Sequence, residues 1–187
     1  MTPERALPAT PAQTVGPYFG FALPAPGAAG LAPAGHPEAV TVHGYVYDGE
    51  GAPVTDALLE FWQTGPGGAP PRAPGALRRD GAARTAFTGF GRVPTDAEGH
   101  YALRTLPPGG APYLAVALFT RGLTHHLRTR AYFALPGDDP LLAALPQERR
   151  ATLLAAPDPA LPRGHRFDVR LGGTAETVFL TYPPDPA

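Results

Sequence analysis

The chain has 187 residues, a formal net charge of −1 and no cysteine, which suits one domain with a substantial core and excludes disulfides and thiolate metal sites. The balanced charge, without a basic stripe, argues against a nucleic-acid partner, and no run of about eighteen apolar residues is present to span a membrane. The first residues lack the charged and apolar regions of a secretory signal, so we expect a cytoplasmic protein.

Lysine, serine and asparagine are absent as well. Serine and cysteine nucleophiles and lysine Schiff bases are therefore excluded. The side chains left for chemistry are those of Asp, Glu, His, Arg, Tyr and Thr.

The segment of residues 10–18 precedes any periodic pattern. It holds the hydroxyl of Thr14 and the phenol of Tyr18 on a stiff Gly16-Pro17 frame. Glycine allows close backbone approach, and proline restricts the chain. Such a segment suits a fixed wall for a ligand pocket and does not suit a core element.

Alternating or continuous apolar runs, separated by glycine and proline clusters, predict about eight short strands. The predicted strands cover residues 40–47, 57–64, 84–90, 100–106, 113–120, 126–133, 165–171 and 177–182. The run at 113–120 is nearly all apolar, which predicts a central strand buried on both faces. The fold class that follows is all-β: an antiparallel β-sandwich with long loops and an extended N-terminal arm.

One short helical insertion interrupts the strands. Asp138 and Asp139 can cap a helix that starts at Pro140, and Pro146 can start another. Leucines give this region an apolar face, so we expect it to cover a sheet edge or contact a partner. The loops at residues 24–38 and 65–83 are long for a compact domain, so we expect them to do more than connect strands.

The residues alone offer few catalytic candidates. No two of the six histidines have a spacing that aims both imidazoles at one metal, so surface or hydrogen-bonded histidines are expected. Arg121 directly follows the predicted central strand, where it can reach a carboxylate ligand bidentately. On spacing alone, an exposed arginine at the end of a strand is an equal alternative.

Nine segments and Val54 carry a pattern that runs in order along nearly the whole chain. The segments are residues 11–18, 44–51, 59–64, 89–92, 118–123, 127–133, 146–150, 166–170 and 176–179. Together they resemble the intradiol ring-cleavage dioxygenases, and among them the alpha subunits of the protocatechuate-cleaving enzymes.

The resemblance implies an iron-dependent oxidoreductase of aromatic catabolism, in the beta-ketoadipate pathway. Such enzymes open protocatechuate with dioxygen to 3-carboxy-cis,cis-muconate, on a non-haem ferric ion held by two tyrosines and two histidines. The histidines form a His-x-His pair on a central strand, where alternate residues point the same way. Here Tyr113 and Ala115 stand at those positions, and the segments 65–83 and 106–110 contain no tyrosine. The resemblance therefore implies a subunit with no catalytic or metal-binding residue, and ferric iron on a partner beta subunit.

The resemblance also implies a contribution to the substrate pocket of that partner. Carried over by motif, the pocket-lining residues are Thr14, Gly16, Pro17, Tyr18 and Arg121. We expect a hetero-oligomer of alpha/beta protomers, with the arm and the 24–38 loop as candidate interfaces. We divide the chain into an arm and loop at residues 1–38 and a β-sandwich domain at 39–187.

Two other classes remain open at this point. A non-catalytic transthyretin-like β-sandwich binding module would share the hairpin at residues 48–54. A self-sufficient catechol or hydroxyquinol dioxygenase would need the missing His-x-His pair.

Overall fold

Two β-sheets and three short helices make up the part of the chain that the computed structural model describes, which is residues 10–16, 18–71 and 86–182. The elements in chain order are α1 (Phe19–Ala22), β1 (Val40–Tyr47), β2 (Leu58–Trp62), β3 (Phe90–Pro94), β4 (His100–Thr105), β5 (Tyr113–Phe119), β6 (Leu127–Tyr132), α2 (Pro140–Ala143), α3 (Gln147–Ala151), β7 (Ala156–Asp158), β8 (Gly164–Arg166) and β9 (Val169–Arg170). No helix in these described ranges is long and apolar enough to cross a membrane.

The first sheet has the strand order β4-β1-β8-β7, with β9 also beside β1, and the second has the order β3-β2-β5-β6. β8 and β9 run parallel to β1, and the other pairings are antiparallel. The inner faces of the two sheets share one apolar core, with Val42 and Leu103 from the first sheet and Phe61 and Val116 from the second. The all-β sandwich prediction is confirmed.

Most strand predictions are confirmed to within one or two residues, but the strand placed at 165–171 is divided into β8 and β9, and two others are wrong. The strand placed at 84–90 begins at Phe90; its first two residues lie outside the described residues. Residues 177–182 form no strand. Their backbone bonds are divided between two elements, with Thr177 N–H donating to Arg170 O and Leu180 N–H to Arg128 O, so no ladder forms. β7 was not predicted.

The strand β5 is central in its sheet, as predicted, but it is buried on one face only. Leu114, Val116 and Leu118 point into the core, while Tyr113, Ala115, Ala117 and Phe119 on the outer face are half-buried. A continuous apolar run therefore does not mean two covered faces here, because the side chains on the outer face are apolar without being enclosed.

The helical insertion covers the β6 edge of the second sheet, which confirms one of its two predicted uses. Asp139 caps α2 by accepting a hydrogen bond from Leu141 N–H at 2.8 Å. Tyr132 of β6 packs with Leu142, Leu153 and Val178 in a second apolar cluster. Tyr132 is consequently buried although it lies on the outer side of its strand.

The 24–38 loop, a candidate interface, packs its middle into this chain's own core. Leu31 and Ala32 are fully buried. Leu31 N–H donates to Arg104 O at 2.8 Å, and Arg92 N–H donates to Ala28 O at 3.2 Å, so the loop links the edges of β4 and β3. The centre of this loop is therefore unavailable to a partner.

Gly44 allows the first sheet to close tightly where β8 gives way to β9. A Cβ at Gly44 would overlap the Phe167 carbonyl. That carbonyl accepts a hydrogen bond from the Tyr101 hydroxyl at 2.5 Å, and the Asp168 carboxylate accepts one from Tyr45 N–H at 3.1 Å. The Asp168 side chain thus takes the place of the backbone carbonyl that would accept this hydrogen bond in a regular strand pairing.

Replacing Gly44 with alanine should destabilise the protein by about 1–3 kcal/mol, the usual range for overpacking a tight interior. The overlap is with backbone, which cannot rotate away. Urea unfolding measures the loss. Gly137→Ala is the matched control, since a Cβ there meets nothing within 4 Å; equal unfolding midpoints for the two variants would contradict the role assigned to Gly44.

Candidate functional site

The register between β2 and β5 brings Asp56 and Arg121 together. Leu58 pairs with Phe119, so the residues two positions beyond each strand, Asp56 and Arg121, face each other. Arg121 Nε donates to Asp56 Oδ2. Thr120 Oγ1 donates to Asp56 Oδ1 at 3.1 Å. The carboxylate thus bonds to both residues that follow β5.

The N-terminal arm docks on the same turn. Gly122 N–H donates to Thr14 Oγ1 at 2.9 Å, across 108 positions of sequence. Gly122 has φ +89°, a left-handed conformation in which a side chain is strained. The turn after β5 therefore presents the Gly122 amide as a donor to the Thr14 hydroxyl of the arm. This bond places Thr14 beside the Asp56–Arg121 pair.

Two other predicted pocket residues, Gly16 and Tyr18, follow Thr14 closely in sequence and lie at the surface. Gly16 is exposed, and its carbonyl accepts a hydrogen bond from Phe19 N–H at 3.3 Å, next to α1. Tyr18 is 77% exposed, and the Arg121 side chain is 66% exposed. Pro17 lies outside the described residues. The structure thus joins Thr14 to the Arg121 turn, while among the described residues no bond links Gly16 or Tyr18 to Arg121.

Sequence reasoning missed Asp56 in this cluster. An aspartate in a turn is common and does not by itself indicate a functional residue, and Asp56 stands in the turn before β2. The signal that finds it is the antiparallel pairing of β2 with β5: once the register is known, Asp56 must oppose Arg121.

A second feature lies on the outer face of the same sheet. Trp62, Phe90, Tyr113 and Ala115 line a pocket of about 410 Å³ together with prolines and threonines. The Arg130 guanidinium lies 4.3 Å from the centroid of the Tyr113 ring. The pocket wall is therefore mostly aromatic and aliphatic.

This pocket includes the two positions at which the resemblance places the iron-binding histidines. Ala115 offers no donor, and Tyr113 is the single phenol in the lining. In the part of the chain that the structure describes, no group of three or more His, Asp or Glu side chains could hold a metal ion. These residues do not fit a ferric site.

The charges around the pocket are satisfied within the chain. Arg92 Nη2 lies 2.5 Å from Glu60 Oε1. Arg130 Nη1 lies 3.4 Å from Asp139 Oδ2, and the Tyr132 hydroxyl donates to the same oxygen at 2.7 Å. Burial raises the pKa of Tyr132 to about 12, so this phenol stays protonated as a donor. The cluster is structural.

A family model described as dioxygenase matches residues 16–118 of this chain. The chain is 41% identical to the protocatechuate 3,4-dioxygenase alpha chain of Burkholderia cepacia, across 93% of this chain and 98% of that protein. This chain belongs to the intradiol ring-cleavage dioxygenase family.

Two further similarities fit the family membership. The chain is 30% identical to the protocatechuate 3,4-dioxygenase beta chain of Burkholderia cepacia, across 75% of this chain and 67% of that protein. Its fold matches the dioxygenase domain of a dioxygenase carbohydrate-binding protein fusion from Streptomyces sp. SirexAA-E, with TM-score 0.57 and 31% identity, covering 88% of this chain and 99% of that one. The family is thus supported by both sequence and fold.

Replacing Thr14 with valine should loosen the arm, because Gly122 N–H loses its acceptor. A net hydrogen-bond contribution of about 1 kcal/mol corresponds to roughly fivefold faster amide exchange at Gly122. Hydrogen exchange read by NMR measures this rate. Thr14→Ser, which keeps the hydroxyl, should retain most of the protection; equal protection in the valine variant would contradict docking through this bond.

Proposed function

We propose that this chain is the alpha subunit of a protocatechuate 3,4-dioxygenase, and that it lends pocket residues to an iron-bearing beta subunit. The observation that carries the proposal is the near-full-length identity to an alpha chain of that name, 41% over 93% of this chain. The donor-poor outer face of β5 supports the same conclusion, since Ala115 and the aromatic wall around it offer no ferric ligand set.

The ferric ion belongs, in this proposal, to the partner. It supplies the ring-opening chemistry with dioxygen, and this chain takes no part in that bond breaking. The similarity to a beta chain of the same named enzyme supports an assembly of two related subunits. The complex would act in the cytoplasm, in aromatic catabolism, without nucleic acid or membrane.

The role of this chain would be to position the substrate. Arg121 would offer its guanidinium to the protocatechuate carboxylate, because a planar fork of N–H donors matches a carboxylate. Tyr18 and Pro17 would wall the aromatic ring, and Gly16 would permit close backbone approach. The exposure of Tyr18 and Arg121 supports this, since a partner subunit can cover both side chains.

Docking of the arm supports the same site. The Thr14–Gly122 bond holds the arm beside Arg121, which brings two of the five proposed pocket residues to one place.

Residues 1–38 would act as the arm and loop of the subunit and 39–187 as its β-sandwich body.

The purified isolated chain should contain far less than one iron per chain and no tyrosinate-to-iron absorption band, because its donors do not form a ferric site. Metal analysis and visible spectroscopy check both. The assembled alpha/beta enzyme is the positive control. A stoichiometric ferric ion with that band in the isolated chain would favour a self-sufficient dioxygenase instead.

Replacing Arg121 with alanine in the assembled enzyme should lower kcat/KM for protocatechuate by about tenfold or more, the cost of losing a charge-assisted hydrogen bond. Catechol lacks the carboxylate and should be affected much less. Arg121→Lys keeps the charge without the planar fork, so its kcat/KM for protocatechuate should lie between the values of the wild type and of Arg121→Ala. An equal loss for both substrates would remove the carboxylate role.

A further inference from the structure

The most informative group outside the proposed pocket residues is the carboxylate of Asp56. It is held at both oxygens: Thr120 Oγ1 donates to Oδ1 at 3.1 Å, and Arg121 Nε donates to Oδ2. Thr120 is only 5% exposed, so its hydroxyl is a fixed donor. The contact with Arg121 uses Nε, one of several N–H donors on the guanidinium, and the others can serve another acceptor.

The backbone that carries Asp56 is anchored as firmly as its side chain. Ala57, the next residue, is almost fully buried. Its N–H donates to Thr95 Oγ1 at 3.0 Å, and its carbonyl accepts from Thr95 N–H at 2.9 Å. Asp56 therefore stands at a rigid point directly opposite Arg121.

Arg121, by contrast, has little else to hold it. Its side chain is 66% exposed, and a long arginine side chain has many rotamers to lose when it binds a ligand. Within the described residues, its guanidinium bonds to Asp56. A fixed carboxylate at Nε restricts the guanidinium before any substrate arrives, which lowers the cost of ordering it on binding.

We propose that Asp56 is a positioning residue that pre-orients Arg121 for the carboxylate of the aromatic substrate. The inference rests on the proposed function of Arg121. Asp56 touches no substrate in this scheme and acts through Arg121 alone. It thereby contributes to the preference for a carboxylated ring over an uncarboxylated one.

A purely structural ion pair would behave differently. The two side chains are 31% and 66% exposed, and exposed ion pairs contribute little to stability. Loss of a structural pair would therefore change the thermal midpoint slightly and would affect all substrates alike. A positioning role changes the ratio of kcat/KM for protocatechuate to kcat/KM for catechol.

The test is a double-mutant cycle in the assembled alpha/beta enzyme, with the wild type, Asp56→Ala, Arg121→Ala and the double variant. We expect Asp56→Ala to lower kcat/KM for protocatechuate about fivefold, as for the loss of one hydrogen bond, and to leave catechol within about twofold. In the Arg121→Ala background the same change should cost nothing further. Asp56→Asn keeps the shape and one acceptor oxygen, so it should restore part of the lost discrimination.

The outcomes separate the two proposals. If Arg121→Ala alters the substrate ratio but Asp56→Ala does not, or if the two losses multiply, the positioning role is overturned and the proposed function stands. If Arg121→Ala leaves the ratio unchanged, the proposed role of Arg121 fails. Thermal midpoints and subunit assembly are measured for every variant. Should Asp56→Ala fail to assemble, Asp56→Asn replaces it in the cycle, where no change in the substrate ratio overturns the positioning role.

Discussion

The antiparallel pairing of β2 with β5 is the constraint on which the described site depends. Its register, Leu58 with Phe119, determines which side chains of both strands enter the core. A slip of one residue would turn Leu114, Val116 and Leu118 outward. The same register places Asp56 opposite Arg121 at the end of the ladder. Core burial and the position of the only proposed substrate-binding cation therefore come from one pairing.

The two ends of β5 have different chemical characters. At the start of the strand, Tyr113 and Ala115 lie on an outer face with an aromatic pocket, and the described residues contain no cluster of three or more His, Asp or Glu side chains that could hold a metal ion. Beyond its end, the turn carries the guanidinium of Arg121, which bonds to the Asp56 carboxylate, and the amide of Gly122, which bonds to the docked arm. A strand in the middle of a sheet is a rigid support for both.

Sequence reasoning succeeded where the alternation of apolar residues is regular and where capping residues or proline mark the end of an element. Alternation at 40–47 and 100–106 located β1 and β4, and Asp139 with Pro140 located the start of α2. It failed where pairing partners decide the outcome. Residues 177–182 have strand-like composition, yet their backbone bonds go to Arg170 and Arg128 on separate elements. Apolar side chains at 113–120 indicated burial on two faces, but the side chains on the outer face of β5 are only half-buried.

The sequence by itself determined the fold class, the positions of most strands along the chain, the absence of thiol and serine chemistry, and the family resemblance, because these follow from residue identity and local period. Through that resemblance it also predicted that Tyr113 and Ala115 stand where the family's iron-binding histidines would be. Only the tertiary structure decided that Thr14 bonds to Gly122 and that Asp56 holds Arg121. Those contacts join residues 108 and 65 positions apart, and separations of that size are set by strand register and chain packing, which no local pattern encodes.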